Sequence, residues 1–411
     1  MENVDVKFCF WAPMGGPMVT GSKFPQRTYA TFEANKKYCM IGDEVGFDYE
    51  LMPARTYTSH GWSEVIEANT TVAAFLQHTK RIKLLAAMHP GLWHPGVAAK
   101  MGATMDIMGG GGRWGLNITS GWFKQEFTGF GEPWLEHEER YRRSEEFIRC
   151  LKALWTEDDF TFRGDFYRFV NAGLRPQPLT KPTPPIFQGG NSESAMRMAA
   201  RVSDWLFING NNLEKTKKVV ETVKAYAREE GREGAVRCGV NCQIICRRTE
   251  QDARKHYDEL LAHADWEGMK AFEQQTRQAG ASSPQGHGMW AESKGADFLQ
   301  ANDGFKPDMI GTKEQIAEKI QAYHAIGVDL ILIAVTHYEE DLEQFGREVI
   351  PLVRQMPSLR TQKASEIVLS SDHRRRDLKM GDGGTLPAPP RDPSAPRAQV
   401  HVAGTKKAAH A

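Results

Sequence analysis

The sequence predicts a parallel (β/α)8 TIM barrel with insertions, and three observations lead there. Strand-period and helix-period segments alternate along most of the chain, the signature of a parallel sheet joined by crossover helices. Eight strand–helix pairs fit into about 350 residues, the size of such a barrel with added segments. Polar and glycine-rich stretches follow directly after several strand runs, where a barrel carries its ligand-binding groups.

In order, the strand runs cover residues 7–12, 47–52, 82–88, 114–119, 185–188, 205–209, 240–246 and 328–334. Helical stretches include 95–107, 138–155, 192–202, 213–230 and 313–326. The stretch 138–155 sets Tyr141, Phe147, Ile148, Leu151, Leu154 and Trp155 at helical spacing for one buried face. Two insertions interrupt the alternation. Residues 159–180 read as a hairpin, with Arg163-Gly-Asp165 near its turn. Residues 266–307 are long and rich in Gly, Ser and Gln, and read as a lid over the barrel mouth or as a solvated surface excursion. The barrel domain is expected to span 1–357. Beyond it the periodicity collapses, and 358–411 is expected to be a disordered tail.

Composition removes several function classes. Hydrophobic residues at 40% and charged residues at 25% are ordinary for a soluble globular chain. Equal numbers of basic and acidic residues leave no formal charge, which argues against a nucleic-acid partner. No run of about 18 apolar residues occurs to span a membrane, and the acidic start Met1-Glu-Asn-Val-Asp5 has no signal-peptide core; a cytoplasmic protein is expected. Six cysteines are too sparse for a disulfide framework. Cys238, Cys242 and Cys246 share one strand face, but neighbours lie roughly 13 Å apart there, too far to share a metal. Gly109-Gly-Gly-Gly112 precedes a strand and lacks the Lys-Ser/Thr of a phosphate loop. No Gly-x-Gly-x-x-Gly follows a strand, so no dinucleotide site is expected.

The stretch Trp114-Gly-Leu-Asn-Ile-Thr-Ser-Gly-Trp-Phe-Lys-Gln-Glu-Phe127 carries the most chemistry. An apolar strand ends in a polar turn, which puts Asn117 and Thr119 at the ligand-binding end. The loop Phe187-Gln-Gly-Gly-Asn-Ser-Glu-Ser-Ala195 follows the fifth strand and opens a helix. Gly189 and Gly190 permit close approach of backbone, Asn191 and Ser192 add donors, and helix-start amides can hold a phosphate. An unliganded helix cap by Asn191 or Ser192 reads equally well. Arg140 offers a bidentate donor to a phosphate and Tyr141 a hydroxyl; by residue type alone, Tyr141 is a core residue and Arg140 a surface one.

These three segments together resemble the bacterial-luciferase-like FMN-dependent monooxygenases, and the similarity runs from Lys7 to about Val353. The resemblance implies a luciferase-like barrel with Asn117 and Thr119 against the flavin ring. Gly189, Gly190, Asn191 and Ser192 would lie at the FMN phosphate, with Asn191 replacing the family's first Ser, and Arg140 and Tyr141 at the phosphate or ribityl chain. It implies reduced FMN delivered by a separate NAD(P)H-dependent FMN reductase, O2 as co-substrate, and a homodimer or homotetramer. The block Gly131-Glu-Pro-Trp-Leu-Glu-His-Glu-Glu-Arg-Tyr-Arg-Arg-Ser-Glu-Glu-Phe147 is similar to the branch that oxidises dimethyl sulfone, a small organosulfur compound, to methanesulfinate and formaldehyde. Strand ends would then line the pocket, with Met52, Pro53, Ala54 and Arg55 after strand two, His89, Trp93 and His94 after strand three, Trp122 after strand four and His337 after strand eight. Arg55 is a candidate to orient a sulfone oxygen, or else part of a surface ion pair. His89, His94 and His337 are candidates to protonate or hydrogen-bond the activated oxygen, or else satisfied polar groups. One departure stands out. The Arg-x-His of alkanesulfonate monooxygenases falls on Asn241 and Gln243, which favours a neutral substrate but leaves pyrimidine-type substrates open. A non-catalytic flavin-binding protein remains the reading from a different class.

Overall fold

The computed structural model describes residues 3–17, 21–56, 64–280 and 289–360. Eight strands form a closed barrel: β1 (Lys7–Trp11), β2 (Tyr49–Met52), β3 (Lys83–Met88), β4 (Trp114–Ile118), β5 (Ile186–Gly189), β6 (Trp205–Ile208), β7 (Arg237–Gln243) and β8 (Val328–Ala334). Each is parallel to its sequence neighbours, and β8 closes on β1. This is the eightfold barrel that the sequence predicts.

Alternation along the strands builds two cores. Cys9, Tyr49, Leu51, Leu85, Phe187, Trp205, Phe207, Leu330 and Leu332 fill the barrel interior. Phe187 stacks against both Trp205 and Phe207, with ring centroids 5.3 Å apart in each pair. The intervening residues, such as Phe8, Phe10, Leu84, Ala86, Leu116, Ile331 and Ile333, pack outward against the helices in a second, larger core. Helix starts are fixed by side-chain caps from Thr31, His94, Ser192, Asn212, Thr249 and Thr312.

The seventh strand differs most from its predicted range. It starts three residues early and ends at Gln243, because Ile245–Cys246 leaves the barrel to pair with Ile310–Gly311. The three cysteines therefore do not share one strand. All three are buried thiols whose pKa values burial pushes up, Cys246 to about 12.

The first insertion is an antiparallel hairpin of Phe160–Arg163 and Arg168–Ala172. The second begins with a helix, Trp266–Gly280, where glycine and serine content alone suggests loop. Its described part continues through a short turn of 3-10 helix, Gly295–Leu299, and packs as a separate apolar cluster with Ile245, Leu260 and Ile310. Residues 281–288 of that insertion, and 361–411 of the expected tail, lie outside the described residues. Among the described residues, no helix is long and apolar enough to cross a membrane.

Candidate active site

At the end of β2 the chain runs through Pro53 and Ala54 to Arg55. The Arg55 side chain is only 6% exposed. Its guanidinium lies 4.6 Å from the Trp122 ring centroid and 4.9 Å from that of Phe123, within cation–π range. Nη1 is 3.8 Å from Glu126 Oε2, a long ion pair. Nε and Nη1 have no hydrogen-bond partner among the described residues. Burial pulls the Arg55 pKa down, and Glu126 opposes that shift.

Glu126 lies on the short helix Lys124–Thr128, directly after the polar turn of β4. Its Oε1 accepts the Thr56 backbone N–H, and its Oε2 is 3.2 Å from His89 Nε2. Burial works to raise the carboxyl pKa, but His89, Arg55 and the Thr56 amide outweigh it and hold the group at about 2. His89 Nδ1 is 2.9 Å from the Thr119 carbonyl oxygen. Both imidazole nitrogens thus lie close to oxygen atoms, Nδ1 to the Thr119 carbonyl and Nε2 to the Glu126 carboxylate. The result is an Arg–Glu–His row across the ends of β2, β4 and β3.

A second cluster surrounds the loop after β5. Gly190 has φ +145°, a left-handed value that favours glycine. A Cβ there would lie 2.6 Å from Ala195 Cβ and 3.0 Å from the Tyr141 hydroxyl, whereas one on Gly189 would meet nothing within 4 Å. Ser192 caps the helix Glu193–Val202 by accepting the Ala195 N–H at 3.2 Å, and it also hydrogen-bonds Tyr141. The helix-cap reading of Ser192 is therefore realised, beside an open glycine and a helix start that could hold a phosphate. Asn191 Oδ1 accepts the Asn209 amide at 3.3 Å. Arg140 is buried, unlike the surface placement that its residue type suggests. Its Nη1 donates to the Leu135 carbonyl at 2.8 Å, and it stacks 4.1 Å over Trp134; burial lowers its pKa to about 10. Asn117 pairs in register with Phe187 and so faces the barrel interior; it is 5% exposed, and its Oδ1 has no partner among the described residues.

Other sequence candidates sit differently. The side chain of Met52 packs in the outer core, because alternation turns it away once Leu51 faces inward; only its backbone reaches the mouth. His94 is exposed and caps the helix Pro95–Met108, accepting from Gly96 N at 3.1 Å, with its ring against Tyr167 and Phe169 of the hairpin. His337 is buried, its Nδ1 accepts the Arg27 amide at 3.1 Å, and burial lowers its pKa. Neither joins the Arg–Glu–His row. Thr119 joins it through its carbonyl. Trp122 does so through its ring, which also meets Phe272 at 5.6 Å and Trp290 at 5.3 Å, both from the 266–307 insertion.

Sequence reasoning passed over two residues. Glu126 stands between Phe123 and Phe127, and a carboxylate on such an apolar face needs buried cations. Arg143 shares a helix face with Arg140 and is likewise buried, with no partner for Nε or Nη2 among the described residues. A Cβ on Gly91, in the loop after β3, would lie 2.3 Å from its guanidinium carbon.

Comparison with known proteins matches residues 8–330 to the luciferase-like monooxygenase family. An FMNH2-dependent dimethylsulfone monooxygenase of Pseudomonas putida is 48% identical over 351 residues, covering 85% of this chain and 96% of that protein. One from Pseudomonas fluorescens (strain Pf0-1) is 45% identical over 356 residues, covering 87% and 96%. Among solved structures, riboflavin lyase with modified FMN and riboflavin superposes with a TM-score of 0.75 at 18% identity, over 88% of this chain and 96% of that one, a likeness of fold. With that breadth of match, the chain belongs to the luciferase-like monooxygenase family.

Proposed function

We propose that this chain is an FMNH2-dependent monooxygenase that converts dimethyl sulfone, or a close neutral analogue, to methanesulfinate and formaldehyde. The observation that carries the reading is Arg55, a buried guanidinium whose Nε and Nη1 hydrogen-bond nothing among the described residues, boxed by aromatic rings and anchored by Glu126. A sulfone is neutral, compact and rich in acceptors, and such a donor in an apolar box suits it. The activities named for the two Pseudomonas relatives support the same substrate. Overall, the sulfone, O2 and FMNH2 give methanesulfinic acid, formaldehyde, water and FMN, so atoms and electrons balance.

Reduced FMN, when bound, supplies the two electrons that activate O2. Tyr141, Ser192 and the Gly189–Gly190 backbone would hold its phosphate, with Arg140 nearby, and Asn117 would meet the ring. Among this chain's own groups, Arg55 donates to a sulfonyl oxygen and fixes the substrate's orientation. Glu126 holds Arg55 and His89 in place. His89, in the same row, is the imidazole placed to hydrogen-bond a developing negative oxygen. Trp122, Phe272 and Trp290 exclude water.

The test is oxygen uptake and formaldehyde release with FMN, an independent NAD(P)H-dependent flavin reductase, and dimethyl sulfone present or absent. Formaldehyde should require both sulfone and reduced FMN, and Arg55→Ala should lower its yield at least about tenfold while oxygen consumption continues. Hydrogen peroxide alone, unchanged by sulfone, would refute the substrate.

A further inference from the structure

The block Asn302-Asp-Gly-Phe305 has no part in the reaction as described so far, yet several hydrogen bonds tie it to the barrel. Asn302 O accepts from Gly210 N at 3.0 Å and from Asn241 Nδ2 at 3.0 Å, and Gly304 O accepts from Gln243 N at 2.7 Å. Gln300, fully buried, uses its Oε1 to receive Asn241 Nδ2 at 3.2 Å, Asn302 N at 2.8 Å and Gly304 N at 2.9 Å. Asn241 itself accepts the indole N–H of Trp11 at 2.8 Å. The turn is therefore tied to the ends of β6 and β7 and, through Trp11, to β1. The approach is backbone to backbone: a Cβ on Gly210 would lie 2.3 Å from Asp303 O and 2.9 Å from Asn241 O.

Asp303 is the knot of this arrangement. It holds φ +57°, which an aspartate tolerates when its carboxylate finds local partners. Its two oxygens accept from Ser293 Oγ at 2.7 and 2.8 Å, Asn209 Nδ2 reaches it at 3.2 Å, and Lys306 Nζ pairs with it at 2.9 Å. Asn209 also donates to Met289 O at 2.9 Å. Trp290, the next residue, donates its indole N–H to Ala301 O and sets its ring 5.3 Å from Trp122, which in turn carries Arg55. A continuous path of bonds and ring contacts thus leads from the ends of β6 and β7 through Trp290 to the Trp122 ring against which Arg55 lies.

We propose that Asp303, with Asn209 and Gln300, is a positioning element that latches the 289–304 segment to the barrel and so fixes Trp290 as the water-excluding wall over Arg55. Its effect on sulfone turnover rests on the function proposed above; its effect on water exclusion does not.

The first readout uses the cofactor-free protein. Backbone amides of 289–304 should exchange with deuterium at least about tenfold faster in Asp303→Asn and Asn209→Ala, with the β1–β4 amides unchanged. The second mixes the reduced-FMN-loaded protein with O2 and no sulfone. Both variants, and Trp290→Phe, which keeps an aromatic ring but replaces the indole and loses its N–H, should release hydrogen peroxide several-fold faster while binding reduced FMN as wild type does. Where sulfone turns over, its KM should rise more than kcat falls. Wild-type exchange and peroxide release in the folded variants would overturn the latch, as would an equal loss of reduced-FMN binding. Absence of sulfone turnover in wild type, with the variants still exchanging and leaking faster, would sink the substrate and leave the latch standing.

Discussion

Glu126→Gln offers the sharpest test of the Arg–Glu–His row. The substitution keeps an oxygen for the Thr56 amide and removes the charge that Arg55 and His89 share. The carboxyl pKa falls from its ordinary 4.5 to about 2 in the folded protein, and about 2.5 units at about 1.4 kcal/mol each is worth about 3 kcal/mol. An independent route gives the same scale, since removing one member of a buried ion pair typically costs about 3–5 kcal/mol. Because the folded pKa lies below the unfolded one, this stability is complete above pH 4.5 and drains away as pH falls toward 2. Urea unfolding of wild type and variant should therefore differ by about 3 kcal/mol near about pH 7, and by only about 1 kcal/mol near about pH 3. A gap below about 1 kcal/mol at neutral pH, or one that pH leaves unchanged, would refute the account of Glu126 as the shared anion.

Two further substitutions probe other parts of the molecule. Gly189→Ala places a methyl in space where nothing lies within 4 Å, so stability should change by less than about 0.5 kcal/mol while FMN binding weakens about tenfold or more; fluorescence titration and a thermal melt separate the two, and unchanged affinity would remove this loop from the cofactor site. Glu50 is fully buried on the outward face of β2, and burial raises its carboxyl pKa to about 8 from 4.5. The folded chain keeps a proton there that the unfolded chain releases, so the group costs stability increasingly from pH 4.5 up to about 8. Glu50→Gln should leave stability near pH 4.5 almost unchanged and gain about 3–5 kcal/mol near about pH 8, and a calorimetric gap that does not grow with pH would reject this.

The barrel was legible because strand and helix periods differ so plainly, and seven of the eight strands end within a residue or two of their predicted ranges. The seventh was not, since Ile245 and Cys246 continue the apolar pattern while their partners, Ile310 and Gly311, come from a distant segment. The helix Trp266–Gly280 was missed for the opposite reason: the glycine-rich stretch that follows it colours the whole insertion. Placement at strand ends put forward Arg55, His89 and Asn117 as candidates. It could not name Glu126 as the partner of Arg55 and His89, because those contacts join the segment after β4 to the ends of β2 and β3 across the mouth. Nor could it separate His94 from His89. Both follow β3, and only the helix start at Pro95 commits His94 to capping.

Asn241 ties the choice of substrate to the roof of the site. The resemblance puts the first sulfonate-binding cation of related enzymes at this position, and its absence is the sequence's argument for a neutral substrate. The structure adds a reason why a cation does not fit. Asn241 needs an acceptor oxygen for the Trp11 indole and a donor for Gln300 and Asn302 O, and a guanidinium has donors only. An arginine would face the Trp11 N–H donor to donor and break the tie to the 300–304 turn. Gln243, two residues on, is fully buried with neither carboxamide atom bonded among the described residues, so the β7 end offers neutral polar groups and no charge. Arg55, the buried cation at the end of β2, is already paired with Glu126. An anion placed there must compete with that carboxylate, while a neutral acceptor can use the spare N–H groups without breaking the pair.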